Sequence, residues 1–176
     1  MAIQIGARPD SGFDDPLGML KDCHRRIESF LGILCIVAER AKGRDLTDEE
    51  RSAVEAALHY FRVGGQRHTA DEEESLFPRL RAIPATGTES IGGLEDDHRH
   101  IKALHASIED LFSTWISAGK LGAESEWRLL SDTAQLRRIY LEHILVEETL
   151  VFPHAAQVLN RSELAAIGSE FRARRK

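Results

Sequence analysis

The chain has 176 residues, 42% hydrophobic and 30% charged, with a formal net charge of −6; that is enough for one domain with its own core. The acidic balance argues against non-specific binding to nucleic acid, and no stretch approaches the ~18 uninterrupted apolar residues of a membrane span. Aromatics at 6% and only 5 prolines, with abundant Ala, Leu, Glu and Arg, favour helix over strand.

Residues 1–13 show no periodicity and are expected to form a flexible arm; they lack the basic-then-apolar order of a signal peptide. Asp15 followed by Pro16 predicts a helix start. Leu17, Leu20, His24, Ile27, Leu31, Leu34 and Ala38 then recur at three- and four-residue steps, an amphipathic helix ending near Gly43. Cys23 and Cys35 on that helix would lie roughly 18 Å apart, too far for a disulfide. Free thiols in a helix suit a reducing compartment, and the cytoplasm is the expected one.

Thr47-Asp48-Glu49-Glu50 is a capping box that opens a second helix. This helix is predicted to run through Val54, Leu58 and Phe61 to about Leu76, where Pro78 should stop it, with Gly64-Gly65 interrupting its middle. Residues 83–87 are turn chemistry. A third helix is expected from about Ser90 to Ala118, a break over 119–122, and a fourth from about Glu124 to Leu159. Ser162 is the expected cap of a short C-terminal helix, and the basic tail Arg172 to Lys176 is expected to be solvated. The predicted fold is therefore all-α: an up-down-up-down four-helix bundle over residues 14–160, with a short C-terminal helix and tail over 161–176.

The most informative feature is an internal repeat. His68, Glu72, Glu73, Phe77 and Pro78 recur at a constant offset of 75 as His143, Glu147, Glu148, Phe152 and Pro153. Residues i and i+4 of a helix lie about 40° apart around the axis and ~6 Å apart along it, so each repeat projects an imidazole beside a carboxylate. An unpaired buried carboxylate costs several kcal/mol. Two such pairs facing one another across a bundle call for a metal cation, and mixed imidazole and carboxylate donors suit iron or manganese. His24, on the apolar stripe of the first helix, and His98, four residues after Leu94 on the third, bring the candidates to six.

These residues resemble the hemerythrin-like HHE cation-binding family, in its bacterial single-domain form. The resemblance rests on His24, His68 and Glu72, His98, His143 and Glu147, and the Phe-Pro ending of both repeats, and it covers about residues 17–158. It implies two iron ions, with manganese or zinc as other metals that would fit. His24 and His68 would serve one ion, His98 and His143 the other, and Glu72 and Glu147 would bridge them. Oxygen-carrying hemerythrins place another His four residues after the third-helix ligand, where this chain has Lys102, so open coordination positions are expected.

The other candidates are weaker. Glu28 repeats the His-x3-Glu spacing with His24, but among Arg25, Arg26 and Ser29 it reads as a solvent-facing charge. Glu73, Glu74 and Glu148 read as surface charges or acceptors for ligand N–H groups, and Asp96 and Asp97 as solvated charges. His105 reads as a core neighbour of the site. Tyr140 could reach its edge, and Cys23, His59, His100 and His154 read as structural or exposed. Gly64 reads as a kink or close helix contact, with a pocket beside the metal as the functional alternative. Ferritin-like and zinc-protease spacings do not fit: only Glu95 to His98 has the Glu-x-x-His form, and H-E-x-x-H is absent.

The expected function is capture of O2, NO or iron for sensing, storage or protection, as a binding module rather than an enzyme. A sensor would need an unknown protein partner to supply its output. The alternative is an enzyme-like di-iron role, in peroxide or nitric oxide reduction or in repair of damaged iron centres; the thirteen-residue arm has no paired-cysteine motif of the repair type.

Overall fold

Asp15 starts the first helix, α1 (Pro16–Arg40), its carboxylate accepting the Gly18 N–H at 3.0 Å. The structure is a computed structural model that describes residues 10–83 and 89–176, the side chains of residues 89 and 90 excepted. The expected arm up to residue 9, and residues 84–87 of the expected turn, lie outside the described residues.

The predicted capping box is present at α2 (Asp48–Tyr60): Thr47 and Glu50 bond each other's backbone N–H. The helix then continues without a stop through a π-helical segment (Phe61–Gly65), α3 (Gln66–Asp71), a second π-helical segment (Glu72–Leu76) and α4 (Phe77–Arg81). The expectation that Pro78 ends this helix is overturned, and the π-helix is the reason. A proline ring in an α-helix collides with the carbonyl four residues back and leaves an acceptor unused. Here the Phe77 N–H reaches five residues back to the Glu72 carbonyl, and Pro78 then sits in the first turn of the next α segment. The other repeat does the same. α6 (Ala123–Val146) passes into a π-helical segment (Glu147–Val151), Phe152 donates to the Glu147 carbonyl, and Pro153 opens α7 (Phe152–Val158).

α5 (Glu89–Ala118) ends at Gly119, whose φ of 79° is left-handed and whose N–H returns to the Trp115 carbonyl. The last helix, α8 (Arg161–Ala173), is capped by Asn160 in a box with Glu163, not by Ser162. The fold is all-α, with no strand among the described residues. α1 packs on α2 and α6, and α5 on α2 and α6, which closes the expected up-down-up-down bundle. No described helix is long and apolar enough to cross a membrane.

The core has two halves. One gathers Ile27, Leu34, Phe61, Ile108, Trp115 and Leu136; the other gathers Leu20, Phe77, Ile91, Phe152, Ile167 and Phe171. On α1 the two halves meet between Leu20 and Ile27, which is where His24 stands. A polar layer separates them there.

Candidate metal centre

The repeats deliver the same parts from opposite walls. In helix two, the i+4 spacing puts His68 Nε2 3.2 Å from Glu72 Oε1; in helix four, His143 Nε2 lies 3.4 Å from Glu147 Oε1. Each carboxylate turns its second oxygen to the lone histidine of another helix. Glu72 Oε2 lies 3.3 Å from His98 Nε2, and Glu147 Oε2 lies 3.0 Å from His24 Nε2. All six side chains are buried, Glu72 and Glu147 completely.

The donor atoms fall into two overlapping groups able to hold an ion. His24, His68, Glu72 and Glu147 form one, and Glu72, His98 and His143 form the other, with all donor atoms in a group within 4.8 Å of one another. Glu72 belongs to both.

The outer nitrogens of His24 and His98 are held as well. Glu148 Oε1 lies 2.8 Å from His24 Nδ1, and Glu73 Oε1 lies 2.7 Å from His98 Nδ1. A carboxylate only accepts, so each Nδ1 can donate to it, which leaves each Nε2 free to offer a lone pair to a cation. The Phe of each repeat lies against the same lone histidine. The Phe152 and His24 rings stack at 5.5 Å, and the Phe77 and His98 rings at 6.3 Å. Every shared residue of the repeat thus has a use: His and the first Glu point inward, the second Glu orients a histidine on a neighbouring helix, Phe supports that ring, and Pro follows the π-helical segment.

The donor set fits a cation. Both oxygens of Glu72, both of Glu147, and Nε2 of His24 and His98 are buried without a hydrogen-bond partner among the described residues. Native structures rarely leave so many polar atoms unpaired. The electrostatics of the bare side chains agree. Burial drives His68 well below the usual histidine range, with His24 adding to it. Burial and then the charge of Glu147 push Glu72 well above the carboxylate range. Burial would raise Glu147 too, but the imidazoles of His143 and His24 outweigh it and hold that carboxyl low. Two carboxylates this close cannot both stay ionised without added positive charge.

A cavity of about 550 Å³ opens beside this cluster between helix two and α5. His98, Glu73, Phe61, Gly65, His105 and Tyr140 are among its walls. His105 Nε2 lies 2.9 Å from the Tyr140 hydroxyl, and burial pushes the His105 imidazole down to about 4. The neutral ring therefore accepts from the phenol.

Several expectations need correction. The alternative of a pocket at Gly64 fails: a Cβ there would stand 2.6 Å from the Tyr60 ring, and it is Gly65 that lines the cavity. Glu28 needs no correction: it is exposed and away from the centre, as expected. Asp97, expected to be solvated, reaches His143 Nδ1 at 3.4 Å. The basic tail is not simply solvated, because Arg174 and Arg175 both hold Asp71, which is completely buried. Asp71 was missed; the available signal was its place between His68 and Glu72, where the second repeat has Val146.

Residues 15–155 match the family model described as the hemerythrin HHE cation binding domain. Comparison with curated proteins finds no match.

Proposed function

This chain belongs to the hemerythrin HHE cation-binding domain family, and from that premise we propose that its six converging side chains hold two iron ions. His24 and His68 would serve one ion and His98 and His143 the other, with Glu72 and Glu147 bridging the pair. The observation that carries this reading is the set of six buried donor atoms on Glu72, Glu147, His24 and His98 that face other donors of the cluster at 3.0–3.4 Å yet have no hydrogen-bond partner among the described residues. Four imidazoles and two carboxylates are also donors that manganese or zinc accept, so the metal is identified by elemental analysis of the purified protein.

Bound iron would supply open coordination positions and a change of oxidation state. The chain's own residues do the rest. Glu73 and Glu148 fix the tautomers of His98 and His24, and such acceptors also raise the basicity of a ligating imidazole. Phe77 and Phe152 keep the two rings in a dry setting. The cavity bounded by Gly65, His105 and Tyr140 offers a small molecule a path to the side of the cluster where His98 stands.

The function we infer is capture of O2, NO or iron itself for sensing, storage or protection, as a binding module in the cytoplasm. The buried free thiols Cys23 and Cys35 support a reducing compartment. The test is anaerobic iron loading followed by exposure to O2 or NO, with the optical spectrum recorded. A spectral change on gas binding that reverses on gas removal supports the binding reading. Rapid turnover of added peroxide with the spectrum unchanged at the end would favour the enzyme-like alternative.

A further inference from the structure

The two repeats differ at the position before the first glutamate, which is completely buried in the first repeat and half-buried in the second. The second has Val146 before Glu147, a residue that needs no partner, while the first has Asp71 before Glu72. A fully buried carboxylate requires compensation, and it comes from outside the part of the chain that matches the family. The match ends at residue 155, and α8 follows.

The end of α8 grips the first repeat along its length. Arg174 reaches Asp71 Oδ1 at 2.9 Å, Glu74 Oε2 at 3.0 Å and Ser75 Oγ at 2.8 Å. Arg175 reaches Asp71 Oδ2 at 2.6 Å, while its own N–H groups also hold the Phe171 carbonyl. Glu170 forms a two-point pair with Arg79 at 2.7 and 3.0 Å. These contacts fall on both sides of the π-helical segment Glu72–Leu76, whose first residue is a candidate ligand to both ions. α8 is itself anchored: Phe171 and Ile167 are fully buried, and Gly168 lies so close to the Phe13 carbonyl that a Cβ there would be 1.9 Å away.

We infer that α8 is a clamp on one half of the metal centre, in which Arg174 and Arg175, acting through Asp71, are positioning residues that hold the His68–Glu72 segment in its ligating geometry. π-helical segments are rare and occur mostly as single turns, often at functional sites, and the one at Glu147–Val151 has Val146 in place of the clamped aspartate. The clamp therefore makes the centre asymmetric. It secures the ion served by His24 and His68 more than the ion served by His98 and His143. The inference rests on the di-iron reading for its metal half only.

The experiment compares the full chain with the double variant Arg174→Ala, Arg175→Ala and, separately, with Asp71→Asn. Hydrogen exchange is followed on the metal-free proteins, and release of iron to a chelator on the iron-loaded ones. The clamp predicts at least tenfold faster exchange over residues 72–77 with exchange over 147–152 unchanged. It also predicts that one of the two irons leaves at least tenfold faster than in the parent, while the other, which shares only Glu72 with the loosened segment, is released faster by a smaller factor. The variant Glu170→Gln, which weakens the Arg79 pair but leaves Arg174 and Arg175 on Asp71, should leave iron release within twofold of the parent. Equal acceleration in both segments, or no acceleration, overturns the clamp. Equal loss of both irons, or unchanged release despite faster local exchange, overturns its role at the metal. A parent chain that takes up no iron would sink the di-iron reading instead, and the exchange comparison still decides whether the clamp exists.

Discussion

Glu73 Oε1 lies 2.7 Å from Nδ1 of His98, a residue on another helix 25 positions further along the chain. Glu148 stands in the same relation to His24 at 2.8 Å. The second glutamate of each repeat therefore orients an imidazole that the repeat does not itself contain.

Replacing Glu73 or Glu148 with Ala should lower iron affinity by roughly 10- to 100-fold, the usual cost of losing an acceptor behind a ligating histidine. Glu28→Ala is the control, because that carboxylate has the same spacing from His24 but is exposed. Competition with a chelator measures the affinities. Equal affinity in all three variants would show that the tautomers need no such support.

Acid should destabilise the protein through His105. Burial lowers its pKa from 6.5 to about 4, so the unfolded chain binds the proton more readily than the folded one. That contribution is intact above pH 6.5 and is lost as pH falls from 6.5 to 4. That lowering corresponds to about 3 kcal/mol. His105→Gln keeps a hydrogen-bond acceptor for Tyr140 and cannot titrate. Urea unfolding at pH 7 and pH 4 should show a smaller stability loss in the variant, and parallel losses would remove His105 as the cause.

The adjacent glycines should respond in opposite directions. Tyr60 is pinned by stacking on Phe30 at 4.6 Å and by its bond to the Cys23 carbonyl, so it cannot easily yield to a Cβ at Gly64. Gly64→Ala should cost about 1–3 kcal/mol, as overpacking does. At Gly65 a Cβ would meet Phe61 at 3.5 Å, an ordinary contact, and Gly65→Ala should stabilise by roughly 0.4–1 kcal/mol. Thermal melts of the two variants decide it; destabilisation of similar size in both would contradict the geometry.

Much of this architecture was legible in the sequence because it depends on spacing along single helices. The three- and four-residue steps around His24 and the i+4 pairs His68–Glu72 and His143–Glu147 predicted which faces turn inward. The capping box at Thr47 was readable for the same local reason. Pro78 misled because a π-helical segment removes the clash that a proline normally makes, and the i→i+5 register has no sequence signal as strong as proline itself. The Asp71–Arg175 and Asp97–His143 contacts join residues 104 and 46 positions apart, and nothing local marks such pairs. Gly64 and Gly65 could not be told apart until the Tyr60 ring was located.

Removing the cation should weaken the fold. Glu72 and Glu147 are completely buried and their four oxygens have no hydrogen-bond partner among the described residues, so a bound cation stabilises the native state by linkage. Metal-free protein should melt several degrees below the loaded form, and identical melting temperatures would place metal binding elsewhere.

The central claim is that six side chains hold two ions, and it is tested most directly by counting metal in the parent and in Glu147→Ala. Elemental analysis of the purified, iron-reconstituted parent should give two irons per chain. Glu147 approaches histidines of both halves, so its replacement should reduce the count to one or none. Two irons retained in Glu147→Ala, or fewer than two in the parent, would contradict the account.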